Sequence, residues 1–209
     1  MKWSQDYFNS EFNEKDPWKF FTSEYEQKKY ERQLGLIEQH GGNVKNILEI
    51  GCAEGAHTRL ISNFFPHAKI IGIDISEKAI SRANELVSEN ISFIHNDILD
   101  GINNFEDRFF DVIIWSESIY YIGDRVSAFR LFEFVKTLSQ KMSDTGIICL
   151  ANIINQESGP EERITKRPLM EIYYNIFTKI FLPIHLVEYN EYKKESNHCH
   201  TYQIWLFKV

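Results

Sequence analysis

Cysteine, basic charge and long apolar runs are all in short supply in this chain, and each shortage closes off a class of protein. The three cysteines among 209 residues, Cys52, Cys149 and Cys199, are odd in number and widely spaced, and two of them sit in apolar runs. That pattern argues against a disulfide framework and for reduced thiols in a cytoplasm. No run approaches the roughly 20 apolar residues that cross a bilayer. The segment Met1 to Asp6 also lacks the charged start and apolar stretch of a secretory signal. A cytoplasmic protein with no membrane partner is therefore expected. Lysine and arginine total 23 against 30 aspartate and glutamate, a formal net charge of -7, so no broad positive field exists to gather a phosphate backbone and nucleic acid is not an expected partner. There is no internal repeat and no low-complexity tract. His198, Cys199 and His200 are adjacent in a strand-like run, where neighbouring side chains alternate faces, and no other Cys/His pair has ligand spacing; no metal is expected.

Hydrophobic residues make up 43% of the chain and charged residues 25%, an ordinary balance for one folded domain of this length. Short β-branched runs alternate with amphipathic stretches, which predicts a parallel α/β sheet. The expected strands are Val44 to Ile50, Lys69 to Asp74, Ile91 to Asn96, Phe110 to Trp115 and Gly146 to Ile154. Ser76 is placed to cap a helix carrying Ala79, Ile80, Ala83, Leu86 and Val87. A second helix is expected from Asp124 to Met142, with Ala128, Leu131, Phe132, Val135, Leu138 and Met142 as its packed stripe. Residues 155–167 are polar, contain Gly159-Pro160 and read as a mobile loop, followed by a helix from Pro168 to about Phe181. Ile184 to Tyr192 and Thr201 to Val209, separated by turn-prone residues, predict an antiparallel hairpin.

The chemistry gathers at the strand ends. The first strand runs into Gly51-Cys52-Ala53-Glu54-Gly55 and then a helix starting near Ala56, so backbone N–H groups can approach a ligand with little Cβ in the way. A dinucleotide fingerprint begun at Gly51 would need glycine where Ala53 and Ala56 stand. Asp74 ends the second strand, where a carboxylate can accept both hydroxyls of a ribose, a feature that nicotinamide and adenosyl cofactors share. Asp97 ends the third strand; an acid there can accept an adenine amino group while the next N–H, that of Ile98, meets a ring nitrogen. This second acid favours the adenosyl cofactor, S-adenosyl-L-methionine, with S-adenosyl-L-homocysteine as product. Helix capping or a solvated turn is the plainer alternative for each aspartate.

The segments Leu48 to Gly55, Ile71 to Ser76, Asn96 to Ile98 and Phe110 to Ile122 resemble the successive motifs of class I methyltransferases. More narrowly, Asp16-Pro17-Trp18, Ser23-Glu24-Tyr25-Glu26, Lys29-Tyr30-Glu31-Arg32 and Ser116-Glu117-Ser118-Ile119-Tyr120-Tyr121 resemble the nodulation protein S family, whose members N-methylate the free amino sugar of a chitooligosaccharide. The resemblance implies a Rossmann-like α/β fold with a seven-stranded, mostly parallel sheet, an antiparallel last strand and helices on both faces. It maps Glu49, Gly51 and Gly55 onto the glycine motif, with Cys52 and Ala53 inside the turn. Asp74 and Ile75 map onto the ribose site, Asp97 and Ile98 onto the adenine site. Ala53 departs from the glycine common at that place.

The resemblance also puts the reaction centre after the fourth strand, just beyond Ser116, which is itself expected to contact the cofactor. Glu117 there could orient an acceptor amine or take its proton, and Tyr120 or Tyr121 could position it; a capping glutamate with packing tyrosines is the alternative. Methyl transfer to an amine draws much of its rate from alignment and needs no strong base. Nine aromatic residues between Trp3 and Tyr30 must cover something, so residues 1–40 are expected to form a helical lid. On a helix, Tyr25 and Arg32 share a face and could close over the cofactor, Arg32 pairing with its carboxylate. Residues 41–154 then form the cofactor-binding core, and 155–209 a substrate-side loop, helix and hairpin. The expected activity is methylation of a small-molecule acceptor, an amine first. O-methylation of a hydroxyl or carboxylate, a nicotinamide-dependent oxidoreductase and a non-catalytic cofactor-binding module are the alternatives, and no oligomeric state is implied.

Overall fold

A computed structural model describes residues 3–157, 163–193 and 198–209. In chain order the elements are α1 (Gln5–Glu11), α2 (Glu24–His40), β1 (Asn46–Ile50), α3 (Ala56–Phe64), β2 (Lys69–Asp74), α4 (Glu77–Ala83), β3 (Ile91–His95), α5 (Ile98–Gly101), β4 (Phe110–Ser116), α6 (Ile119–Gly123), α7 (Ala128–Lys141), β5 (Met142–Glu157), β6 (Arg163–Thr165), α8 (Arg167–Phe177), β7 (Leu182–Lys193) and β8 (His198–Lys208). The strands lie in the order β3-β2-β1-β4-β5-β8-β7, with β6 paired on the extension of β5. The first five are parallel, while β8 inserts antiparallel between β5 and β7. This is the sheet expected from the sequence, with one short strand added.

The central strands are apolar at almost every position because helices cover both faces of the sheet. Side chains alternate between the two. Leu48, Ile113, Trp115, Ile148, Leu150, Trp205 and Phe207 pack with Leu131, Phe134 and Phe177 on one side, and Ile47, Val112, Ile114, Ile147, Cys149, Ile204 and Leu206 pack with Leu34, Ile37 and Ile61 on the other. All three cysteines are unpaired. No helix among the described residues is long and apolar enough to cross a membrane.

Several expected boundaries move, each for a local reason. The helix expected from Asp124 begins only at Ala128, because Ser127 adopts an extended backbone and its hydroxyl accepts the Arg130 N–H at 3.2 Å as the cap of α7, while Asp124 ends the separate short helix α6. Its buried stripe is then Leu131, Phe134, Val135 and Leu138, with Phe134 in the place assigned to Phe132 and with Ala128 exposed; Met142 is the first residue of β5. Ser76 caps α4 as expected, accepting the Ala79 N–H at 3.2 Å, but the helix tightens into a 3-10 turn at Asn84–Leu86 and leaves Val87 exposed. Strand β5 runs on to Glu157, and the chain returns along it as β6 before α8; both strands occupy ends of the stretch expected to be a loop. Gly159, Pro160 and the hairpin residues 194–197 lie outside the described residues.

Candidate active site

The parallel strands end at one edge of the sheet, and their carboxyl ends open into a cavity of about 390 Å³, the usual place for a ligand in an open α/β fold. Its floor is the turn after β1. Gly51 (φ +76) and Gly55 (φ +84) both take the left-handed backbone. A Cβ on Gly51 would lie 2.7 Å from the Ser118 hydroxyl, and one on Gly55 2.8 Å from the Phe93 ring. Ala53 is also left-handed, at φ +50, so the alanine that departs from the glycine pattern adopts the glycine conformation at a cost of about 1 kcal/mol. Glu49 points below the turn, buried, where it accepts from the Thr58 hydroxyl and meets Nδ1 of His57 at 3.1 Å.

Two acids enter from the next strands. Asp74 accepts the Ala53 N–H at 2.9 Å and the Ser76 N–H at 2.8 Å; burial raises its pKa, partly offset by these two bonds. Asp97 caps α5 through the Leu99 N–H at 3.1 Å, and its other oxygen accepts from the Arg125 guanidinium. Capping and lining the cavity are thus compatible roles for it.

At the end of β4, Glu117 has φ +58, a conformation that costs a side-chain-bearing residue about 1–2 kcal/mol and that turns its carboxylate into the cavity wall. Its N–H donates to the Ala151 carbonyl at 2.8 Å. The Tyr120 hydroxyl donates to Oε2 at 3.3 Å. Lys29 Nζ stands 3.8 Å from Oε1 and 2.6 Å from Glu26 on its own helix. Burial pushes the Glu117 carboxyl up, and Lys29 pulls it part of the way back. Burial would lower the Lys29 ammonium, but Glu26 and Glu117 more than offset this and raise it. Burial also raises both tyrosines, Tyr120 well above its ordinary value.

Of the residues singled out in the sequence, Glu49, Gly51, Cys52, Ala53, Asp74, Ile75, Asp97, Ile98, Ser116, Glu117, Tyr120 and Tyr121 all line this cavity. Gly55 lies just behind, as the N-cap of α3. Tyr25 and Arg32 do not line it. Tyr25 is buried behind the wall, its hydroxyl 2.5 Å from Nδ1 of His200 and donating to Tyr202. Arg32 faces the outer side of α2, stacked over the Tyr189 ring at 4.3 Å and 3.3 Å from Glu191. Seven residues are nearly two helical turns, so the two do share a face, but α2 packs with that face against β7 and β8 rather than over the strand ends.

The cations that do line the cavity are Lys29, Arg125 and Lys166, with His57 beside them; in the sequence His57 stands near the start of the helix after the glycine turn, within reach of a ligand, and Lys29 in a family-like segment, but none of the four is given a chemical role there. A signal exists for the first: Glu26, Lys29, Tyr30, Gln33, Leu34 and Ile37 form one helical stripe, all buried, and polar residues in a stripe otherwise headed for the core point to a lined site. The aromatic N-terminal segment closes the cavity with Phe8, Phe12, Trp18 and Phe20. It is fastened by Arg82, which pairs with buried Glu54 and donates to the carbonyls of Phe12 at 3.0 Å and Glu14 at 2.6 Å. Asp16 joins the same knot, its N–H donating to Glu54 at 2.8 Å.

An adenosyl sulfonium cofactor fits this donor set. The glycine turn offers close backbone approach, and the two acids stand at the ends of the neighbouring strands β2 and β3, both lining the cavity. Ser116 Oγ, Glu117 Oε1 and His57 Nε2 are buried without a hydrogen-bond partner among the described residues, an arrangement that favours a polar ligand.

Sheet order, the glycine turn and the paired acids make this a class I methyltransferase fold. More narrowly, the chain belongs to the nodulation protein S (NodS) family, whose profile matches residues 2–150. It is 31% identical over 119 residues to nodulation protein S of Rhizobium tropici, covering 56% of this chain and 47% of that one. It is likewise 31% identical over 116 residues to that of Sinorhizobium fredii, covering 55% and 51%. The chain thus spans about half the length of these curated relatives. The crystal structure of the N-methyltransferase NodS from Bradyrhizobium japonicum WM9 in complex with S-adenosyl-L-homocysteine superposes with a TM-score of 0.72 at 22% identity, over 100% of this chain and 98% of that one.

Proposed function

We propose that this protein is an S-adenosyl-L-methionine-dependent methyltransferase that N-methylates a small-molecule amine in the cytoplasm, where its unpaired thiols would stay reduced. The observation that carries the reading is the convergence of four strand ends on one cavity: the Gly51 turn, Asp74, Asp97 and Glu117. When bound, the cofactor supplies an electrophilic methyl group. Asp74 would accept the ribose hydroxyls, and Asp97, whose other oxygen is bound by Arg125, would accept the adenine amino group. Glu117 orients the acceptor amine and takes its proton, with Lys29 offsetting part of the upward shift that burial imposes on the carboxyl and Tyr120 fixing its orientation. Residues 1–40 act as the lid, excluding water from the site. Residues 41–154 form the cofactor-binding core, and residues 155–209 form the acceptor side.

Calorimetric titration with S-adenosylhomocysteine and with nicotinamide nucleotides tests the cofactor. Saturable binding of the first alone is expected, and binding of the second alone would overturn the reading. Transfer of labelled methyl to amines in preference to matched alcohols tests the reaction.

A further inference from the structure

Beyond Glu117 the cavity is bounded by a wall that the family match, ending at residue 150, does not include. Strand β5 pairs with β4 only as far as Ser116 and Ala151, then continues for six residues above the site. Strand β6 returns along it, and the Lys166 N–H closes the return on the Ile154 carbonyl at 2.7 Å. The consequence of this detour is the position of one ammonium group. Lys166 Nζ lies 3.5 Å from the centroid of the Tyr120 ring, in the wall of the cavity and half-buried, and no carboxylate among the described residues is in ion-pair contact with it. Lys29, by contrast, is already committed to Glu26.

Tyr120 therefore stands between two charges of opposite sign. Its hydroxyl touches Glu117, and its ring face carries Lys166. Strand β6 pairs with the edge of β5 that β4 leaves free beyond Ser116, since β8 holds the other edge, so the return that carries Lys166 lies in line with the end of β4 and Glu117, one strand over from β1 and the glycine turn.

Resting on the amine reading above, we infer that the acceptor carries an anionic group a few bonds from its amine, with the amine held on Glu117 and the oxyanion on Lys166. A carboxylate and a phosphate present the same chemistry to a lysine ammonium. With an acceptor that carries only an amine, the Lys166 ammonium would keep the Tyr120 ring face and the through-space attraction of Glu117 and Asp124 but would have no oxyanion in contact with it. An acceptor carrying both charges satisfies both walls.

The test uses the full chain with labelled cofactor and matched pairs, β-alanine against β-alaninamide and O-phosphoethanolamine against ethanolamine. The wild type is expected to favour at least one anionic member by about ten- to hundredfold in kcat/KM, the range of a single charge-assisted contact; which pair shows it tells carboxylate from phosphate. Lys166→Met should bring that ratio towards unity through KM, with S-adenosylhomocysteine affinity unchanged. Lys166→Gln, polar and similar in reach, guards against a folding defect. Equal use of both members by the wild type, or a preference that survives in both variants, overturns the inference alone. A tenfold loss of S-adenosylhomocysteine affinity in the variants overturns it by assigning Lys166 to the cofactor. Methylation of alcohols with no amine methylated overturns the inference and the amine reading together.

Discussion

Lys29 on α2 and Glu117 at the end of β4 face each other 3.8 Å apart, with Glu26 at 2.6 Å on the other side of the same ammonium. A buried and a half-buried carboxylate thus share one buried cation, which couples the N-terminal helix to the charge at the reaction centre. Removing the cation from such a group leaves uncompensated buried charge, typically costing about 3–5 kcal/mol. Lys29→Met should lower the thermal midpoint by an amount in keeping with that loss. It should also move the acidic limb of the pH–rate profile to higher pH, since the Glu117 carboxyl loses the group that pulls its pKa down. A variant with wild-type stability and an unmoved limb would show that the pair is incidental.

Glu117→Gln separates catalysis from stability. The Glu117 carboxyl is raised by burial in the folded state. A raised carboxyl contributes stability fully below its unfolded pKa, and the contribution is lost as pH rises through the folded value. The neutral glutamine escapes that loss, so the variant should gain stability relative to the wild type as pH goes from about 4 to 8. Turnover should fall by roughly tenfold or more, with S-adenosylhomocysteine binding retained. Denaturation curves at the two pH values and a turnover assay check both halves, and unchanged turnover would remove Glu117 from the chemistry.

Asp74→Asn keeps the shape of a side chain that joins the turn after β1 to the start of α4 but replaces one acceptor with a donor. Cofactor-product affinity measured by calorimetry should fall about ten- to hundredfold, the loss of charge-assisted bonds to two hydroxyls. Turnover at saturating cofactor should change much less.

Arg32→Ala tests the placement of α2. The guanidinium lies over Tyr189 on the outer face, half-exposed, so S-adenosylhomocysteine affinity should stay within twofold of the wild type and stability should fall by at most about 1 kcal/mol. A tenfold loss of affinity would mean that α2 turns this face to the cofactor.

Gly55→Ala adds a Cβ that meets the Phe93 ring at 2.8 Å from a left-handed backbone. A loss of about 1–3 kcal/mol is expected by chemical denaturation. Ala53→Gly, at the other left-handed position, should be close to neutral, because relief of strain offsets the added freedom of the unfolded chain.

Most of the sheet is legible in the sequence because its strands are buried on both faces, so each reads as a short apolar run ending in a polar or glycine residue. The acids at those ends are legible for the same reason: Asp74 and Asp97 follow directly on the runs. Helical spacing misplaces Phe132 because Phe132 and Phe134 flank the same stripe of Leu131, Val135 and Leu138, and spacing alone does not tell which flank is turned into the core. It misplaces Arg32 because it tells which residues share a face but says nothing of what that face meets.

By itself, then, the sequence determined the alternation of strands and helices, the glycine turn and the carboxylates at its neighbours' ends, since each follows from local period and turn chemistry. Only the tertiary structure decided which cations meet those carboxylates. Lys29, Arg125 and Lys166 reach the cavity from α2, from the segment between α6 and α7, and from the return of β6. The distances along the chain that separate them from Glu117 and Asp97 carry no pattern a sequence can display, because an ion pair depends on how packed elements bring charges together in space.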